Sequence, residues 1–178
     1  MIDLTADIET LTDRARTHVD LFYAGARLSD DTLITRCILL DISASPVNVD
    51  LDGLKALADV ERRDSVIIKT GWERYRGIPA YDQCPWIDKK LIELLVSRKV
   101  VLMLVDSPGI YGGAAGPEHN GMDKYLADNE AHAVENLVHL YLLNAMKYRL
   151  YCFPVYSTTS NAAPCRILAE PLEINPDG

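Results

Sequence analysis

The sequence predicts a single mixed α/β domain, and three observations carry that expectation. Its 178 residues, 48% of them hydrophobic, can bury one continuous core and fall in the size range of one domain. Short, nearly continuous runs of Val, Ile and Leu recur along the chain, as buried strands do. Between them, apolar residues return at helical spacing.

Taken in order, Thr17-His18-Val19-Asp20-Leu21-Phe22-Tyr23 alternates with the period of a strand. Cys37 to Ile42 reads as a buried strand, and Leu51, Leu54 and Leu57 after Asn48 and Asp50 read as a weak helix. Val66 to Ile68 is a further strand. Ile87, Leu91, Leu94 and Leu95 after Pro85 mark a helix, and Val100 to Val105 the next strand. Gly and Pro gather in Ser107-Pro108-Gly109, Gly112-Gly113 and Gly116-Pro117, so the stretch from Asp106 to about Asn120 reads as a long loop after a strand end, a place where sites are often built. Leu150 to Tyr156 and Arg166 to Ala169 are the last strands. One domain over residues 1–174 with a flexible tail at 175–178 is expected.

Bulk properties exclude several functions. No apolar run approaches the ~20 residues of a membrane span, and the opening Met-Ile-Asp-Leu-Thr-Ala-Asp lacks the pattern of a secretory signal, so a cytoplasmic protein is expected. Cys37, Cys84, Cys152 and Cys165 form no Cys-x-x-Cys pair and lie in or beside apolar stretches, where reduced core thiols belong. A net charge of −8 leaves no basic face for nucleic acid. The partners left are a small-molecule substrate or another protein.

His18 and Asp20 share one face of their strand, and an imidazole beside a carboxylate can hold a divalent cation, zinc, manganese or iron rather than calcium. Taken alone, the pair is better read as a His–Asp hydrogen bond at a sheet surface.

The wider pattern resembles the cyclase family of metal-dependent hydrolases, which includes bacterial kynurenine formamidase and related amide and lactone hydrolases. Met1-Ile2-Asp3-Leu4-Thr5 looks like that family's opening strand. Arg16-Thr17-His18-Val19-Asp20 is similar to the core of its motif His-x-Gly-Thr-His-x-Asp-x-Pro-x-His. Thr70-Gly71-Trp72, Val105-Asp106-Ser107-Pro108, Glu135-Asn136-Leu137 and Pro164-Cys165-Arg166-Ile167 follow in the family's order. The resemblance implies a swivelling β/β/α domain, a mixed sheet with flanking helices and the site at one sheet end. It also implies a hydrolase of a small amide, formamide or lactone, arylformamidase-like, which works as a homo-oligomer. One divalent metal, zinc or manganese, would be held by His18, Asp20, Asp123 and Glu135, with His18 and Glu135 taking part in catalysis. A bound dication lowers the pKa of its water toward ~7 and polarises the scissile carbonyl.

The motif is degenerate, however. Its first His falls on Arg14, its Gly on Arg16, its Pro on Phe22 and its third His on Ala24, and the family's later His falls on Asp123, with His119 one helical turn earlier. An Arg14 guanidinium beside the acids could replace the cation outright. That leaves open a second expectation: a catalytically inactive homologue, without metal, that serves as a small-molecule binding or protein-interaction module. Arg14, Trp72 and Ser107 are the candidate pocket residues. Core anchoring suits Trp72 as well, and a turn role suits Ser107 better than a nucleophile's. His132 and His139 read as structural.

Overall fold

The computed structural model describes residues 1–6, 16–112 and 116–172. Arg14 and the tail at 175–178 lie outside the described residues. Eight strands are present among them: β1 (Ile2–Asp3), β2 (His18–Asp20), β3 (Ile34–Asp41), β4 (Ser65–Lys69), β5 (Leu102–Val105), β6 (His132–Glu135), β7 (Lys147–Pro154) and β8 (Ala162–Pro171). They pair in the order β1-β8-β2-β6-β5-β4-β3-β7, and a long antiparallel β7–β8 ladder closes seven of them into a barrel. β3 to β6 run parallel to their neighbours in the order β3, β4, β5, β6, while β2, β7 and β8 join antiparallel. The sheet is mixed with helices against it, as expected, and it closes on itself into a barrel.

Closure separates two cores, because successive side chains of a strand point to opposite faces. Val19, Ile67, Leu102, Leu104, Val134, Leu150, Cys152 and Ile167 fill the barrel. Ile38, Leu40, Val66, Ile68, Met103, Val105 and Ala133 point outward and pack under α1 (Lys89–Ser97) and α2 (Pro117–Asp128). Asp88 caps α1 by accepting from the Lys90 N–H at 2.9 Å, and Leu91, Ile92, Leu95 and Val96 form its buried stripe. Burial of each such side chain contributes about 1.5–3 kcal/mol. No described helix is long and apolar enough to cross a membrane.

Three local expectations are corrected. The strand containing His18 stops at Asp20, because Phe22 adopts φ 59° and turns the chain. The stretch 51–57 holds no α-helix: Asp50 Oδ1 accepts the Gly53 N–H at 3.1 Å in a turn, and only a 3-10 segment, Lys55–Asp59, follows. The loop after β5 is shorter than predicted, since Pro117 takes the first position of α2, where its missing N–H costs nothing. The four cysteines are free and buried, as predicted, three of them in β3, β7 and β8.

Candidate metal centre

Barrel geometry brings together residues far apart in sequence. Val19 points into the barrel, so His18 and Asp20 point outward, and Glu135 shares the outward face of β6 with Ala133. His18 sits directly opposite Glu135 in the antiparallel β2–β6 register, which sets their side chains side by side. α2 lies over this patch of wall and turns His119, Met122, Asp123 and Leu126 down onto it. His119 and Asp123, four residues apart, share that face, with Nε2 and Oδ2 3.3 Å apart.

One ligand atom each from Asp20, His119, Asp123 and Glu135 falls within 4.8 Å of all the others. His18 stands at the rim, its Nε2 3.5 Å from Asp20 Oδ2 and 3.8 Å from Glu135 Oε2. The four residues singled out in the sequence therefore lie together, and His119 joins them because its segment is helical. The signal for His119 was its position one helical turn before Asp123.

The surroundings fix these groups. His18 Nδ1 lies 2.9 Å from the Arg16 carbonyl oxygen, so the ring donates there and turns the lone pair of Nε2 toward the acids. Glu135 Oε1 accepts the Ile110 N–H at 2.9 Å, leaving Oε2 toward the cluster. His132, on the opposite face of β6 from Glu135, places Nδ1 3.2 Å from the Asp20 carbonyl oxygen and serves to hold β2 against β6. Among the described residues, Asp20, Asp123 and Glu135 form ion pairs with histidines only.

That crowding has electrostatic consequences. Burial, reinforced by the Asp20 charge, pushes the Asp123 carboxyl up to about 7. Burial and the charges of Asp20 and Asp123 push Glu135 well above the usual carboxylate range. Burial lowers His119, and burial also opposes protonation of His18, but the adjacent Asp20 carboxylate outweighs it and raises the His18 pKa. Three buried atoms of the cluster, Asp20 Oδ2, His119 Nδ1 and Asp123 Oδ1, make no hydrogen bond. Buried polar atoms without partners are costly and rare in folded proteins. A divalent cation among these four residues would give buried oxygens and an imidazole nitrogen a partner, and a mixed carboxylate and imidazole set suits zinc or manganese.

The two described pocket candidates do other work. Trp72 is half-buried, donates from Nε1 to the Tyr81 carbonyl at 3.0 Å and packs on Tyr75. Ser107 is buried and spends its hydroxyl on the Gly109 carbonyl at 2.9 Å, in a turn. The segments around them form a brace instead. Asp106, wholly buried, accepts from Thr70 N at 2.8 Å and Thr70 Oγ1 at 2.7 Å. A second brace holds β2, with Thr17 Oγ1 accepting from Ala6 N at 2.8 Å and donating to the Asn136 carbonyl at 2.9 Å. Neither brace was evident from sequence, where Asp106 and Thr17 are ordinary loop and strand residues.

The family model described as "Putative cyclase" matches residues 3–110, more than half of the chain. The chain belongs to the cyclase family. The matched region contains His18 and Asp20 but stops before α2 and β6, so His119, Asp123 and Glu135 are joined to it by geometry. The fold is similar to that of cyclase-family structures. A potential metal-dependent hydrolase with cyclase activity is 20% identical, with a TM-score of 0.72 over 94% of this chain and 96% of the other. Isatin hydrolase A from Labrenzia aggregata, bound to benzyl benzoate, is 13% identical, with a TM-score of 0.73 over 94% and 92%. An isatin hydrolase bound to the product analogue thioisatinate is 20% identical, with a TM-score of 0.66 over 90% and 74%. A search of curated proteins gave no match.

Proposed function

We propose that this cyclase-family chain is a metal-dependent hydrolase of a small amide, formamide or lactone. The observation that carries the reading is the convergence of three carboxylates and two imidazoles, three of whose buried atoms lack hydrogen-bond partners. Asp20, His119, Asp123 and Glu135 would hold one zinc or manganese ion, which when bound polarises a carbonyl and acidifies water.

The chain's own residues supply the rest. His18 Nε2, oriented by the bond from Nδ1 to the Arg16 carbonyl, takes the proton of the attacking water as the new C–O bond forms. Asp20 Oδ2, 3.5 Å away, stabilises the imidazolium. The same proton then passes to the leaving nitrogen or oxygen as its bond to the acyl carbon breaks. Ile110 N–H holds Glu135 in place through both steps. The structure of the isatin hydrolase with thioisatinate supports a cyclic amide as one substrate class, and arylformamidase-like chemistry is the nearest acyclic one.

Assay of an aryl formamide and of isatin, with and without added manganese or zinc after chelator treatment, tests this. Metal-restored hydrolysis that falls at least a hundredfold in His18→Ala is expected. Protein that takes up no metal and hydrolyses neither substrate would favour the non-catalytic binding module.

A further inference from the structure

The outer side of α2 carries a second recess that does not depend on the metal centre or on the hydrolase reading. Its volume is about 290 Å³, and it lies between α1 and α2 under the loop after β5. Lys89 and Glu93 line it from α1, Tyr111 from the loop, and Glu118, Gly121, Met122 and Tyr125 from α2. Glu118, Gly121 and Tyr125 recur at helical spacing along the face opposite the one that carries His119 and Asp123 to the cluster.

Three features of this recess point to one ligand chemistry. Two tyrosines, Tyr111 and Tyr125, line it, and Tyr111 is steadied by Trp86, whose ring centroid is 4.9 Å away. The cation–π contacts among the described residues use other rings, Tyr156, Tyr75 and Tyr81, so neither Tyr111 nor Tyr125 carries a guanidinium. Its charge is net negative: Lys89 pairs with Glu93 at 3.4 Å, and among the described residues Glu118 forms no ion pair. Gly121 adds no side chain to the lining, and a Cβ placed there would meet nothing within 4 Å. A helix interior disfavours glycine, so this position holds one without any packing requirement for it.

We propose that the recess binds a small organic ammonium ion, its cationic head against the faces of Tyr111 and Tyr125 and near the Glu118 carboxylate. Aromatic faces attract desolvated alkylammonium groups through the ring quadrupole, and a carboxylate at the rim adds a directional charge. The volume accommodates a head group with a short chain.

Choline and its uncharged isostere 3,3-dimethyl-1-butanol, titrated by ligand-observed NMR, test the proposal. Choline should bind with a dissociation constant of about a millimolar, and the alcohol at least about tenfold more weakly. Glu118→Gln should weaken choline several-fold and leave the alcohol unchanged. Gly121→Leu, which places a bulky side chain at the recess and favours helix, should remove choline binding while bound metal stays as in the wild type and thermal stability does not fall. Equal binding of the two probes, choline binding that survives Gly121→Leu, or wild-type protein that does not bind choline would each overturn it.

Discussion

Asp123→Asn should stabilise the metal-free protein at alkaline pH and yet abolish its stabilisation by metal. In the folded chain, burial and the neighbouring Asp20 charge hold the Asp123 carboxyl at about 7, against an ordinary value of 3.8. The folded state therefore keeps a proton that the unfolded chain has released across that interval. The stabilising contribution of a group with a raised folded pKa is complete below 3.8 and is lost as pH rises through about 7. Roughly three pH units at about 1.4 kcal/mol each give a loss on the order of 4 kcal/mol. Asn cannot ionise, and its amide oxygen can still face His119, so the variant escapes this loss. Urea denaturation of chelator-treated wild type and Asp123→Asn at pH 5 and pH 8 reads the difference. The variant should gain about 2–4 kcal/mol over wild type on going from pH 5 to pH 8, and added manganese should stabilise only the wild type. A variant that tracks the wild type at both pH values would show that burial and the Asp20 charge do not hold the Asp123 carboxyl protonated.

Other consequences follow from the braces and the core. Asp106→Ala leaves the Thr70 N–H and hydroxyl without their buried carboxylate, and urea unfolding should show a loss of about 3–5 kcal/mol. Thr17→Val removes both bonds that tie β2 to Ala6 and Asn136, which should cost about 2 kcal/mol and weaken metal binding by misplacing His18. The four thiols are buried, and burial pushes Cys84 up to about 12, so a thiol reagent should label none of them in native protein at neutral pH and all of them in denaturant.

Most of the strands were legible in the sequence because their apolar runs are nearly continuous: β3, β4, β5, β7 and β8 all overlap the predicted segments. Barrel closure was not legible. It depends on the pairing of β7 with β8 and of β2 with both β6 and β8, contacts between distant segments that leave no local periodicity. The first turn of α2 was read as loop because Gly116, Pro117 and Asn120 continue the turn-rich composition before it, and its buried stripe includes the polar residues His119 and Asp123. The candidate site was legible in proportion to the motif that survives. His18 and Asp20 were visible from strand alternation and Glu135 from its resemblance to a family motif, whereas His119 needed knowledge that its segment is helical. Trp72 and Ser107 were drawn toward the pocket by their place in family-like segments, and those segments also hold the buried Asp106 brace.

Hydrolysis by this chain requires that Asp20, His119, Asp123 and Glu135 hold one cation together. Calorimetric titration of chelator-treated protein with manganese and with zinc measures this directly. One equivalent per chain is predicted to bind, with proton release, and binding should fall at least tenfold in both His119→Ala and Asp20→Ala. Wild-type protein that takes up neither metal, or a His119→Ala variant that binds as tightly as wild type, would contradict it.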